Sequence, residues 1–280
     1  SRLLSFCLAY IMVKENINLL IGTLLIGIVT LGAVVSFFWL PHDPNANDWT
    51  AKLAAPSSNH ILGTDNLGRD LLARLLVGAR GTLYVGLIAV SIALTLGSLV
   101  GAVAGYVGGF FDEVLMRLMD TLYAFPAILM ALLLAAIYKP NTLTAMVAIG
   151  LATVPIFARI MRASVISVKE RDFVEASRAL GMTSAQLLWR SILPNTLSPI
   201  IVQASLSFAV AVLAEAALSF LGLGTPPRTP SWGTMLQEAQ ASLRLSAYPV
   251  LVPGLAIIMT VLGWSLLGDG LRDWLDPTDD

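Results

Sequence analysis

The chain has 280 residues, of which 56% are apolar and only 12% are charged. This charged share is about half of that found in an ordinary soluble domain. The formal net charge of -1 provides no basic excess for nucleic acid, and the single cysteine, Cys7, excludes an internal disulfide. These values predict an all-α, polytopic membrane protein.

Six apolar stretches are long enough to cross a bilayer as helices. They cover residues 17–40, 82–106, 114–138, 142–161, 197–221 and 248–267. Pro126 predicts a kink in the third stretch, and Gly97 and Gly101 predict close helix packing within the subunit. We divide the chain into 1–81, the first helix with an extracytoplasmic loop, and 82–280, a core of five helices. Both termini are expected in the cytoplasm, because ten of the 17 Lys and Arg residues then lie inside.

The loop between the first two spans carries charges at regular intervals. Asp65, Arg69, Asp70 and Arg74 are spaced three to five residues apart, which suits pairing on one face of a helix. We therefore predict a short amphipathic helix that lies along the membrane surface.

The segment 172–194 is the longest markedly polar stretch in the C-terminal half of the chain. Asp172 and Glu175 predict a capping box at the start of a short helix, and Gly181 predicts its end. Thr183–Gln186 predicts a second capping box and a second short helix. We expect the first helix to be a docking surface, with these residues partly exposed: Phe173, Val174, Ala176, Ala179 and Leu180.

The fifth span contains one charge, Glu215. A carboxylate in a membrane span indicates either a structural pair or a place in a transport pathway, and both alternatives stay open here. Trp232 and Met235, in the loop that follows, are further candidates for the pathway or its gate.

No pattern in the chain predicts catalysis. A P-loop for ATP is absent, and neither a nucleophile triad nor a pair of catalytic carboxylates can be defended. His42 and His60 have no cysteine partner and lie in a turn-rich loop, so we predict solvated or capping roles and no metal site. The chain is therefore not expected to be an enzyme.

A resemblance to a known family begins in the segment 172–194. The string Glu175-Ala176-Ser177, followed by Gly181 and then Leu193-Pro194, resembles the EAA loop of permease subunits of binding-protein-dependent ABC importers. The chain departs from that pattern at Ser177, where Ala is usual, and at Ser191, where Ile is usual.

Three longer strings resemble the dipeptide, oligopeptide and nickel branch of these permeases, and specifically the C-type permease of the pair. They are G-T-D-N-L-G-R-D at 63–70, F-L-G-L-G-T-P-P-R-T-P-S-W-G at 220–233, and L-G-D-G-L-R-D-W-L-D-P at 267–277. The resemblance covers nearly the whole chain from His60 onward. The family signature residues are Gly63, Thr64, Asp65, Gly68, Arg69, Asp70, Asp269, Arg272 and Asp273.

The resemblance implies a type I ABC importer permease fold in a bacterial or archaeal cytoplasmic (inner) membrane. The implied partners are a homologous second permease, two ATPase subunits that bind ATP and Mg²⁺, and an extracytoplasmic substrate-binding protein. No cofactor is expected on this chain. The residues implied in ATPase coupling are Phe173, Val174, Glu175, Ala176, Ser177, Ala179, Leu180, Gly181, Leu193 and Pro194.

The resemblance leaves the transported substrate open. We prefer di- or oligopeptides, with nickel or a metallophore as the alternative. A secondary transporter is a rival from another class, but it predicts paired midplane charges and repeat-related broken helices, which the sequence does not clearly show. A structural membrane subunit without a pathway is a further rival.

Overall fold

The computed structural model describes residues 2–138, 141–226 and 228–275, with side chains from residue 17 onward. Regular structure in these ranges is helical, apart from one isolated bridge between Thr64 and Asp70. The α-helices are α1 Arg2–Phe38, α2 Leu71–Val107, α3 Gly109–Tyr123, α4 Ala127–Tyr138, α5 Thr142–Lys169, α6 Asp172–Ala179, α7 Ser184–Gln186, α8 Leu197–Phe220, α9 Trp232–Ala239 and α10 Tyr248–Leu275. Short 3₁₀ turns occur at Trp49–Ala51, Leu193–Thr196 and Gln240–Ser242, and a π-helical turn at Leu187–Ile192.

The prediction of an all-α, polytopic membrane protein is confirmed, with five to six candidate spans where six were predicted. Among the described residues, five helices are long and apolar enough to cross a membrane, and the pair α3–α4, bent by 82°, passes the same test only when its two helices are taken together. The bend falls at Pro126, whose ring cannot continue the α3 hydrogen-bond ladder. The fourth and sixth spans extend further than predicted, to Lys169 and Leu275.

Helices α2 and α5 run in the same direction and pack closely through glycine. A β-carbon at Gly97 would lie 2.6 Å from the Val154 carbonyl oxygen, and one at Gly101 would lie 2.2 Å from that of Ala158. Only glycine allows the two backbones to approach this closely, so the predicted packing within the subunit is confirmed.

Helices α1 and α10 form a second close pair, in which the chains run in opposite directions. Gly22 lies against the backbone of Leu267, and Gly270 lies against the backbone of Leu19. The chain thus presents two ends. We call the end with residues 39–70 and 221–247 the loop-rich end, and the end with residues 170–196 the short-helix end.

The separate amphipathic helix predicted near Arg69 is not present in the described loop. Helix α2 instead begins at Leu71, and the Asp70 side chain caps it by accepting a 2.7 Å hydrogen bond from the Ala73 amide. A carboxylate cap at the start of a long apolar helix explains why the polar string joins the span directly. The predicted domain boundary at 81/82 therefore falls inside α2.

Candidate functional site

Helix α6 ends as the sequence predicts, in a left-handed glycine. Gly181 has φ +87°, its amide donates to the Arg178 carbonyl at 3.0 Å, and the Met182 amide donates to the Ser177 carbonyl at 3.3 Å. These two bonds form a Schellman motif, which satisfies the last carbonyls of a helix and fixes the direction of the chain after it.

The start of α6 differs from the prediction. Arg171 is the N-cap, no side chain caps the helix, and Asp172 and Glu175 lie in the first turn. The predicted Asp172–Glu175 capping box is therefore wrong. Both carboxylates still lie where the helix dipole favours negative charge. The second predicted capping box, between Thr183 and Gln186, is present with bonds of 2.9 and 3.3 Å.

The two faces of α6 have opposite roles. Val174 is fully buried, so its predicted place on an exposed surface is wrong; it packs in the main core with Val168 and Leu187. Phe173 and Leu180 are exposed, Leu180 at 87%. Ala176 and Ala179 are exposed as predicted. Helix α6 therefore has an exposed apolar surface on one side and a buried side chain on the other, and its role as a docking surface stays a prediction.

After the turn at Gly181, a continuous but irregular helix runs from Ser184 into the fifth span. A π-helical turn covers Leu187–Ile192, and a 3₁₀ turn with Pro194 near its start leads into α8. Proline has no amide hydrogen, so local irregularity is expected at this point. Trp189 on the π-helical turn is 67% exposed, and the sequence analysis did not single it out. Its position beside two leucines gave no separate signal.

The string at 63–70 folds into a tight turn whose backbone geometry requires glycine at two positions. Gly68 has φ +76°, and a β-carbon there would lie 1.7 Å from the Asp48 carbonyl oxygen. Gly63 has φ +82° and would meet Ala54. The Thr64 hydroxyl donates to the Ala51 carbonyl and accepts from the Ala54 amide. The string therefore holds the loop against the start of α2.

The charges of this string form a compact network rather than a helical ladder. Arg69 donates from Nε to Asp65 at 2.6 Å and from a terminal nitrogen to Glu238 at 2.5 Å. Arg74, which is only 3% exposed, donates to the same Glu238 oxygen at 2.8 Å. We call Asp65, Arg69, Arg74 and Glu238 the charge network. It joins the first loop to α9 and α2.

The three pathway candidates lie inside the subunit. Trp232 is buried against Gly78 and donates from its indole nitrogen to the Leu75 carbonyl at 3.0 Å. Met235 is buried in the same cluster. Glu215 is buried and accepts a 2.7 Å hydrogen bond from Ser219 on one oxygen; the other has no partner among the described residues. These contacts supply a structural role, and the pathway role stays a prediction.

The last signature residues lie on exposed turns at the end of α10. Asp269, Arg272 and Asp273 are exposed in the single chain. The glycines on either side of Asp269 make close contacts: Gly268 lies against Ser205 and Gly270 against Leu19. The contacts position Asp269 at the short-helix end without assigning it a partner.

The two histidines lie close together, a proximity that no local pattern in the chain indicates. His60 is largely buried, with Nδ1 2.8 Å from Asp70 Oδ2, and His42 Nδ1 lies 3.4 Å from the same oxygen. The prediction of a solvated or capping role is therefore wrong for His60.

The long apolar helices define the chain as an α-helical membrane protein. Residues 97–278 match the family described as "Binding-protein-dependent transport system inner membrane component". The chain belongs to this family of permeases.

Named relatives agree with this family over most of the chain. The dipeptide transport system permease protein DppC of Alkalihalophilus pseudofirmus is 40% identical over 96% of this chain and 88% of the relative. DppC of Haemophilus influenzae is 38% identical over 94% and 92%. The glutathione transport system permease protein GsiD of Escherichia coli O6:K15:H31 is 42% identical over 89% and 84%.

Solved structures confirm the fold. A chain of the inward-facing MetNI methionine ABC transporter superposes with a TM-score of 0.60, covering 71% of this chain and 94% of that chain at 17% identity. A second crystal form of the same transporter gives the same TM-score over 72% and 96%. The chain thus has the fold of a type I ABC importer permease.

Proposed function

We propose that this permease forms half of a translocation pathway for di- or oligopeptides, with a second homologous permease as the other half. Two ATPase subunits bind ATP and Mg²⁺ at the short-helix end, and a substrate-binding protein delivers the peptide at the loop-rich end. No cofactor is assigned to this chain itself.

The observation that carries this proposal is the position of α6, which has one exposed apolar face and one face anchored in the core. Phe173 and Leu180 present apolar surface outside the long helices, while Val174 anchors the same helix in the core. Closure of the ATPase subunits around ATP moves α6, and the helix bundle responds by alternating between two conformations. EAA coupling through these residues rests on the motif and on this geometry.

The peptide substrate is supported by the relatives, which are named for dipeptides, peptides and glutathione. None of these names supports the nickel alternative better. Within the chain, an open cavity of about 480 Å³ lies between α5, α8 and α10. It is lined by five apolar residues, Ile160, Pro199, Val202, Leu206 and Leu275, and by polar groups of Ser198, Gln203 and Arg272. Such groups suit a wall that a polar peptide passes, because they offer hydrogen bonds without a fixed selectivity.

The test is reconstitution of the complete transporter in vesicles. Peptide-loaded binding protein is expected to stimulate ATP hydrolysis, and labelled dipeptide is expected to accumulate only with ATP. Uptake driven by an ion gradient without ATP would identify a secondary transporter instead. If the permease assembled with ATPase subunits and transported nickel but no peptide, the proposed peptide substrate would be wrong.

The orientation is a separate prediction. Both termini and α6 are placed in the cytoplasm, because Lys and Arg concentrate on that side. In a Cys7→Ala background, an impermeant thiol reagent added to intact cells is expected to label Thr50→Cys and not Glu175→Cys. Both positions are exposed in the single chain. Labelling of Glu175→Cys from outside would reverse the assigned topology.

A further inference from the structure

Three residues from separate segments meet at the loop-rich end. His42 lies just beyond the end of α1, His60 lies in the first loop, and Asp70 is the N-cap of α2. The candidate ligand atoms, one from each residue, all lie within 4.8 Å of one another. The imidazole centroids are 4.7 Å apart, and their planes are inclined by 33°.

The two oxygens of Asp70 have different tasks. Oδ1 accepts the capping hydrogen bond from the Ala73 amide, so the cap is complete without Oδ2. Oδ2 lies 2.8 Å from His60 Nδ1 and 3.4 Å from His42 Nδ1. Both imidazoles therefore direct the same ring nitrogen toward one oxygen that the helix does not need.

The burial of the three side chains increases from His42 to Asp70. The exposed fraction is 42% for His42, 14% for His60 and 1% for Asp70. A buried carboxylate with imidazoles on its solvent side provides both a desolvated negative charge and a route of entry for a small cation.

We propose that His42 Nδ1, His60 Nδ1 and Asp70 Oδ2 bind a zinc ion, with water in a fourth position. Imidazole and carboxylate ligands suit Zn²⁺, whereas Ca²⁺ and Mg²⁺ require shells made of oxygen. Zn–N and Zn–O bonds of about 2.0–2.2 Å place tetrahedral ligands about 3.3–3.6 Å apart. The two separations of 2.8 and 3.4 Å therefore need only a sub-ångström adjustment.

The site has a structural consequence. One ion would tie the chain after α1 and the first loop to the start of α2. The same loop is held on its other side by the Arg69–Glu238 pair of the charge network. Zinc at this place therefore acts as a clamp on the loop-rich end rather than as transported cargo.

The experiment measures zinc binding to the full-length permease, purified with a histidine-free tag and stripped of metal by a chelating resin. Titration against a fluorescent zinc chelator is expected to give one Zn²⁺ per chain, and zinc is expected to raise the unfolding temperature. The chain has only two histidines, so the background is small.

Two variants and one matched control distinguish the metal site from a hydrogen-bonded cluster. His42→Asn keeps a donor for Asp70 but removes the ring nitrogen, and it is expected to weaken zinc binding more than about tenfold and to abolish the temperature shift. His60→Asn is expected to do the same. Asp43→Asn, at a neighbouring exposed carboxylate, is expected to leave both measurements unchanged.

Three results would contradict zinc binding by His42, His60 and Asp70. Absence of saturable zinc binding at micromolar concentration would show that Asp70 is only a hydrogen-bond partner of His60, with His42 beside it. Binding that persists unchanged in His42→Asn would place the ion elsewhere. Loss of binding in Asp43→Asn to the same extent as in His42→Asn would also contradict the assigned ligands.

Discussion

Gly181→Val provides the sharpest perturbation of the short-helix end. Gly181 has φ +87°, and a β-carbon built there meets no atom within 4 Å. The cost of a side chain is therefore backbone strain alone, about 1–2 kcal/mol for an L-residue in the left-handed region and more for a β-branched one. This energy lowers the population of the native helix end by about 5- to 30-fold relative to frayed alternatives.

The assay is ATP hydrolysis by the reconstituted transporter, measured with and without peptide-loaded binding protein. Gly181→Val is expected to insert and assemble, and to lose most of the stimulated rate. Gly181→Asn is expected to retain more of it, because Asn tolerates the left-handed region better. Gly108→Val is the matched control: Gly108 has φ +72° and an equally open β-carbon position, but it lies in the turn between α2 and α3.

Two results would refute this reasoning. Equal loss of stimulation in Gly181→Val and Gly108→Val would show that general backbone strain, not the direction of α6, controls coupling. Full stimulation in Gly181→Val would show that the Schellman geometry is unnecessary and that the segment is only a connector.

Two further predictions concern stability, measured as the unfolding temperature of the purified permease. Gly68→Ala is expected to destabilise the permease by about 3 kcal/mol, because the new β-carbon overlaps the Asp48 carbonyl and φ is positive. An unchanged unfolding temperature would contradict the close approach of Gly68 to Asp48. Glu238→Ala is expected to cost about 3 kcal/mol by leaving buried Arg74 without its 2.8 Å partner. Glu113→Ala breaks an exposed pair and is expected to change stability by no more than about 0.5 kcal/mol; equal effects would contradict the argument from burial.

Local signals account for the parts of the fold that were predicted correctly. The apolar stretches give the spans because length and hydropathy alone decide whether a helix crosses a bilayer. Pro126 marks the bend and Gly181 marks the end of α6, because proline and glycine act on the backbone where they stand. These features need no knowledge of distant contacts.

The errors arise where a distant contact decides the outcome. The charges at Arg69 and Arg74 were spaced for a surface helix, but both residues pair with Glu238, more than 160 positions later. Val174 was predicted to be exposed, because the sequence does not show that this side chain packs into the core formed by α5 and α8. Likewise, His42 and His60 meet only because the loop folds back onto Asp70.

The anchoring of α6 in the core explains how a movement of α6 is transmitted to the long helices in the proposed coupling. Val174 shares a core cluster with Val168 of α5 and with Leu187 ahead of α8, so a force applied to the exposed face acts on both long helices. The contact between α5 and α2 is made at Gly97 and Gly101, where backbones touch with no flexible side chain between them. A close-packed contact of this kind transmits displacement because it has little compressibility. In the proposed cycle, α5 and α2 therefore move together when the ATPase subunits close.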